Sequence, residues 1–307
     1  MRPDTLRTIA KRNDYALPAD LDSLYELGDL ARFAEVFVLT IGALTGYDDF
    51  REIVVEYAAE AKEHGAVYLE AIFAPRLRHA LDSDEVFTGY CDGAQQAREL
   101  HGVEVRLTPD IPRIYSLDEA LRTARYAVKY RDRGVVGIGL GGLPEEGYPP
   151  EPYAEAFELA RDGGLASVPH AGEGAGPESI RGALEALSAD RIRHGVRAVE
   201  DPGLVDELSA RGIVLDVCPI SNVRLGVVPT LDEHPLPQLV AAGVRCSIST
   251  DDPAIFDTDL TRDYEAAASL GVSPRDAYEA GLAGALCDEE TLVELRRIGD
   301  SHDWADR

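Results

Sequence analysis

Three short strings in the second half of the chain carry the residue types that metal-assisted hydrolysis needs: His170-Ala-Gly-Glu173, Arg193-His194-Gly195 and Ser249-Thr-Asp251-Asp252-Pro253. Imidazole is the usual side-chain ligand of zinc, and a carboxyl near the metal but not bound to it can give and take a proton. His170 ends the run that starts Ala166-Ser-Val-Pro, with Glu173 three residues further on. His194 closes Arg191-Ile-Arg-His, and Gly195 after it lets backbone or ligand come close. Asp251 and Asp252 close Val244 to Thr250, and Pro253 stops that run from continuing. Because neighbouring side chains diverge, one of these carboxylates can reach a metal while the other meets a different target. Taken singly, each string also fits an ordinary role, a hydrogen-bonded core histidine or a pair of Asp residues capping the next helix. Convergence on one rim is what favours chemistry.

Positioning such residues requires strands whose ends share a face. β-branched runs at Ala66 to Phe73, Val103 to Thr108, Val135 to Leu140, Ala166 to His170, Arg191 to His194, Ile213 to Cys218 and Val244 to Thr250 alternate with helical stretches such as Leu117 to Arg133 and Pro202 to Arg211. Alternation of this kind predicts parallel strands joined by crossover helices. Seven strands also suit a doubly wound sheet. Site residues arriving from several separated strand ends instead favour an α/β (β/α)8 TIM-type barrel, which closes with eight strands and usually spans about 250 residues. The first 60 residues read as helices, with Pro3 in a first turn, Leu6, Ile9 and Ala10 on one face, then Leu21 to Leu39 and Asp49 to His64. Strand one is therefore expected to be truncated or absent, and residues 1–307 to form a single barrel domain.

The formal charge of −26 opposes a phosphate backbone, so DNA or RNA is an unexpected partner. No apolar run approaches the ~20 residues of a membrane helix, and no secretory leader is legible, so no membrane partner and a cytoplasmic location are expected. Cys91, Cys218, Cys246 and Cys287 lack a Cys-x-x-Cys pair and read as reduced thiols. The only lysines, Lys11, Lys62 and Lys129, fall in helical stretches, which disfavours a carboxylated lysine bridging two metals. Cys218-Pro219 reverses the order of the cytidine-deaminase signature. Gly139-Leu-Gly-Gly142 lacks dinucleotide spacing.

From about Met1 to Tyr264 the chain resembles the adenosine deaminase family, zinc-dependent (β/α)8 enzymes that hydrolyse the 6-amino group of a purine. The resemblance rests on His170-Ala-Gly-Glu173-Gly-Ala-Gly-Pro-Glu-Ser-Ile180, Arg191-Ile-Arg-His194-Gly, Cys218-Pro-Ile-Ser-Asn222 and Ser249-Thr-Asp-Asp-Pro253, in order. It implies that His170 and Asp251 are ligands of one zinc ion and that Glu173 exchanges a proton with purine N1. His194 then orients and helps deprotonate the metal-held water, Asp252 bonds N7, and the backbone amide of Gly142 meets N3. It also implies a small-molecule purine nucleoside substrate and conversion of the adenosine-to-inosine type with release of ammonia. Adenine and 6-aminodeoxyfutalosine, a menaquinone precursor bearing an adenine base, are the alternative substrates. A noncatalytic purine-binding barrel without zinc is the alternative of another class, and an amidohydrolase acting on a cyclic amide is a third reading.

Departures from the family pattern set further expectations. The family carries His-x-His on its first strand, whereas no His precedes His64 here, and Met1-Arg-Pro-Asp-Thr-Leu-Arg-Thr-Ile-Ala matches the segment just after that motif. A misassigned or shortened start, or a natural loss of catalysis, would account for it. With His170 and Asp251 as the only ligands, fewer than the three typical of catalytic zinc, weak metal binding and poor activity are expected until the chain is extended upstream. Ile72 in Tyr68-Leu-Glu70-Ala-Ile72-Phe-Ala-Pro75 takes the position of an expected Arg, and Leu143-Pro144 stand where acidic residues are usual. With Arg224-Leu-Gly-Val after Ser221-Asn222, these residues make 6-aminodeoxyfutalosine a contender.

Overall fold

The computed structural model describes residues 1–21, 23–27, 29–75, 81–142 and 147–304, so Leu143-Pro144 lie outside the described residues. β1 (Tyr68–Phe73), β2 (Glu104–Pro112), β3 (Gly137–Gly141) and β4 (Ala166–Ser167) pair in that order. β5 (His170–Ala171), β6 (Arg191–His194), β7 (Val214–Val217) and β8 (Arg245–Ile248) form a second run. Every pairing is parallel. β4 and β5 are two pieces of one stave, interrupted where Pro169 has no N–H to give to a ladder. The sheet is carried across that break by Val168 N–H, which donates to Ile138 O at 2.9 Å, and by Pro169 O, which accepts from Arg193 N–H at 3.0 Å.

All seven expected runs therefore become strands, and they neighbour one another in chain order. A doubly wound sheet reverses its strand order at a switch point; this one does not, which is the barrel arrangement. Among the described residues no strand pairs with the outer edge of β1 or of β8. Both edges border a cavity of about 1610 Å³, which Met1, Phe33, Phe37 and Tyr57 of the N-terminal region also line.

The helices start where capping chemistry allows. Ser116 and Glu119 form a reciprocal capping box at the head of Leu117–Lys129, and a separate 3-10 turn at Arg131–Arg133 replaces the rest of the longer helix expected there. Asp201 accepts from Leu204 N–H at the start of Pro202–Arg211. Near the N-terminus, Pro3–Arg12 and Tyr47–Glu63 form as expected, but the expected helix from Leu21 to Leu39 is divided. Ser23–Tyr25 is a 3-10 turn, and a new helix, Leu30–Gly42, starts where Asp29 caps Arg32 N–H. Among the described residues no single helix is long and apolar enough to cross a membrane. The four cysteines are free thiols.

Strand alternation sorts two environments. Leu107, Ile111, Ile138, Leu140, Ile192 and Leu215 are fully buried. Their alternates form an interior of charge: Arg191 of β6 pairs with Glu70 of β1 and, at 2.8 Å, with Asp216 of β7. Tyr68 O–H and Leu286 N–H also donate to Glu70. Burial opposes ionisation of Glu70, but the Arg191 charge outweighs it and holds that carboxyl below its usual range.

Candidate active site

His170, Glu173, His194, Asp251, Asp252 and Gly142 all line the cavity of about 1610 Å³. They arrive there from β5 and the loop after it, the end of β6, the segment after β8 and the residue after β3. This is the carboxyl-end rim where barrel enzymes assemble catalytic groups. His194 (φ 62°) and Asp251 (φ 56°) adopt left-handed backbone conformations. His and Asp tolerate that region better than most residues, yet each such turn costs on the order of 1–3 kcal/mol and persists only where its surroundings enforce it.

One ligand atom from each of Glu173, His194 and Asp251 lies within 4.8 Å of the others. His194 Nε2 is 3.6 Å from Glu173 Oε2. The His170 ring stands beside this group, its centroid 5.4 Å from that of His194. Asp252 completes a crowd of three carboxyls. Desolvation and the adjacent Asp251 charge push its pKa up to about 8.

Three of the predicted residues, His170, His194 and Asp251, are held by partners to which the sequence assigned no role. His170 Nδ1 lies 3.2 Å from both Leu140 O and Asp110 Oδ2, which leaves Nε2 as the nitrogen with a free lone pair. Asp110 is gripped in turn by Arg193, with Nη1 2.5 Å from Oδ1, while Arg193 Nη2 donates to Thr108 Oγ1. Burial opposes ionisation of Asp110, but Arg193 and then His170 reverse the balance and hold it below the usual carboxylate range. This pair fits inside the barrel because Gly139 has no side chain; a Cβ there would overlap the Asp110 carboxylate. Ser221 Oγ donates to Asp251 Oδ2 at 2.7 Å. Asn222 Nδ2 lies 3.3 Å from His194 Nδ1, and Asn222 Oδ1 lies 3.2 Å from His234 Nε2.

His170 and Asp251 are donors of the kind zinc takes, two of the three or more protein ligands typical of a catalytic site. An imidazole with its far nitrogen tied to a carboxylate is a recurring second layer of metal sites, since it fixes both tautomer and ring direction. The crowding of Glu173, Asp251 and Asp252 is what a divalent cation relieves. Gly142 (φ 81°) takes a backbone conformation suited to glycine, and its missing side chain leaves the backbone approachable from the cavity. Ile72 lines the cavity and is 43% exposed. Arg224 instead faces Asp257 at 3.6 Å and is absent from the cavity lining.

The family description "Adenosine deaminase" matches residues 1–296. The chain belongs to the adenosine deaminase family. It is 47% identical over 317 aligned positions, covering 99% of this chain and 89% of the relative, to an aminodeoxyfutalosine deaminase of Acidothermus cellulolyticus. The fold matches the crystal structure of an adenine deaminase from Arthrobacter aurescens with a TM-score of 0.92 and 27% identity, covering 97% of this chain and 94% of that one. It also matches an amidohydrolase from Burkholderia ambifaria with bound Zn, at a TM-score of 0.87 and 27% identity, over 98% and 86% of the two chains. With the sequential parallel strands, these structural matches make the fold that of the TIM-barrel deaminases.

Proposed function

We propose that this family member hydrolyses the exocyclic amino group of a 6-aminopurine and that its substrate is aminodeoxyfutalosine. The observation that carries the reaction is the meeting, in one cavity, of six residues spread from Gly142 to Asp252. Two observations favour the substrate over adenosine, the leading expectation from sequence. The 47% identity to an aminodeoxyfutalosine deaminase spans 99% of the chain, and Ile72 puts an apolar group in the cavity where the family resemblance led to an Arg.

His170 and Asp251 are the residues that would hold the metal, with Asp110 and Ser221 orienting them. When bound, zinc supplies the Lewis acidity that makes a water nucleophilic near neutral pH. Glu173 delivers a proton to purine N1, which makes C6 electrophilic as water adds; the remaining hydroxyl proton passes to the amino nitrogen as the C6–N bond breaks, so that ammonia leaves and a C6 carbonyl stays. Asp252 addresses N7. Gly142, lacking a Cβ, lets its amide approach N3.

Purified zinc-loaded protein offered aminodeoxyfutalosine, adenosine and adenine, with ammonia release as the readout, tests the proposal. The expected result is a kcat/KM for aminodeoxyfutalosine at least roughly 10-fold above the other two, the discrimination a modest difference in pocket contacts provides. A preference for adenine or adenosine would overturn the substrate. Binding of aminopurines without ammonia release would return the barrel to a noncatalytic role.

A further inference from the structure

A buried chain of hydrogen bonds runs from backbone to His194 and has only one consistent direction. Leu236 N–H meets His234 Nδ1 at 3.1 Å, and a backbone amide can only donate, so that nitrogen accepts. The single proton of the neutral His234 ring then sits on Nε2 and is donated to Asn222 Oδ1 at 3.2 Å. With its carbonyl so engaged, Asn222 turns its amide N–H toward His194 Nδ1 at 3.3 Å, which must accept. His194, Asn222 and His234 are 2%, 0% and 3% exposed, so solvent is shut out from this chain. Burial also lowers the His234 pKa to about 4, keeping the ring neutral near pH 7.

We propose that Asn222 and His234 are positioning residues that fix the His194 imidazole with its proton on Nε2, making His194 an N–H donor toward the reacting oxygen. The donor role rests on the deaminase reading above; the relay itself does not. It revises the expectation that His194 deprotonates the water, because an Nε2 that already carries hydrogen has no lone pair to accept another. The proton that water loses as the C6–oxygen bond forms goes instead to Glu173, beside His194 Nε2 at 3.6 Å, and from it to N1.

Nitrogen-15 NMR of the full chain labelled at histidine reads the tautomer directly, apart from any activity. In the unsubstituted protein His194 is expected to show an unprotonated Nδ1 and a protonated Nε2. Asn222→Asp offers His194 only acceptor oxygens and should move the proton to Nδ1. With it kcat should fall by roughly 10²–10⁴-fold, the range for an imidazole in the wrong tautomer, while KM changes little. His234→Gln keeps an N–H for Asn222 and should keep the tautomer, whereas His234→Phe should lose it. A proton on Nδ1 in the unsubstituted protein would overturn the relay even if no variant folded. So would an Asn222→Asp variant that is slow with its tautomer unchanged. The expected tautomer in a protein that deaminates no aminopurine would uphold the relay and overturn the deaminase reading.

Discussion

Asp110→Asn is the perturbation that separates what holds the barrel together from what holds the metal. Asp110 and Arg193 have side chains 7% and 5% exposed and meet at 2.5 Å, while the other Asp110 oxygen lies 3.2 Å from His170 Nδ1. The substitution leaves the Arg193 guanidinium buried with Thr108 as its neutral partner. Removing one member of a buried pair costs about 3–5 kcal/mol, chiefly because the remaining charge is stranded. His170 loses its anionic orienting group in the same step, and losses of that kind lower metal affinity by about 10–100-fold. A double variant, Asp110→Leu with Arg193→Met, removes both charges and should recover most of the stability, since apolar replacement of a buried pair is often neutral. Zinc affinity should stay low, because His170 still lacks its partner. Urea denaturation and zinc titration against a competing chelator read the two quantities independently. An Asp110→Asn variant that unfolds within about 1 kcal/mol of the parent, or a double variant that regains zinc along with stability, would refute these separate roles.

Gly139→Ala should destabilise the protein by about 1–3 kcal/mol through overpacking, because the new methyl overlaps the Asp110 carboxylate and lies 2.5 Å from Arg193 Nη1; denaturation midpoints check it. His234 gives acid sensitivity of definite sign. Its folded pKa of about 4 lies below the unfolded 6.5, so its contribution is present above pH 6.5 and is lost as pH falls toward 4, by up to about 3 kcal/mol. Stability measured across that window should therefore slope less in His234→Gln than in the parent. Glu173→Gln, which cannot carry the proton, should lower kcat by roughly 10²–10⁴-fold with the melting transition preserved; turnover within a few-fold of the parent would remove Glu173 from the reaction.

Much of the fold could be read from the chain because its signals are local. Each of the seven β-branched runs is short, bounded by turn residues and followed by an amphipathic stretch, and each forms a strand. The fourth run, expected as one strand from Ala166 to His170, is split at Pro169 into β4 and β5, and the hydrogen bonds that span the break come from Ile138 and Arg193, far off in sequence. The helix expected across Leu21 to Leu39 failed at Asp29, whose side chain caps a new helix and so opens one where apolar spacing alone suggested continuation. His170, Glu173, His194 and Asp251 were legible because imidazoles and carboxylates stood at run ends. Asp110 was not, since it sits mid-strand between Thr108 and Ile111 and gains meaning only from Arg193, 83 residues away. Asn222 lies in the Cys218-Pro-Ile-Ser-Asn222 string without a role of its own, and nothing in the sequence singles out His234. Only a backbone amide at Leu236 gives their hydrogen bonds a direction. Partners of this kind leave no periodic trace in a sequence, because only the folded chain brings them together.

Residues distant in sequence meet in one cavity, where we propose that His170 and Asp251 hold one divalent ion. Anomalous diffraction at the zinc edge from crystals of the zinc-loaded protein tests it most directly. A single strong peak is expected within coordination distance, about 2.0–2.2 Å, of His170 Nε2 and an Asp251 carboxylate oxygen. A peak elsewhere, or a fully zinc-loaded protein with none in this cavity, would contradict it.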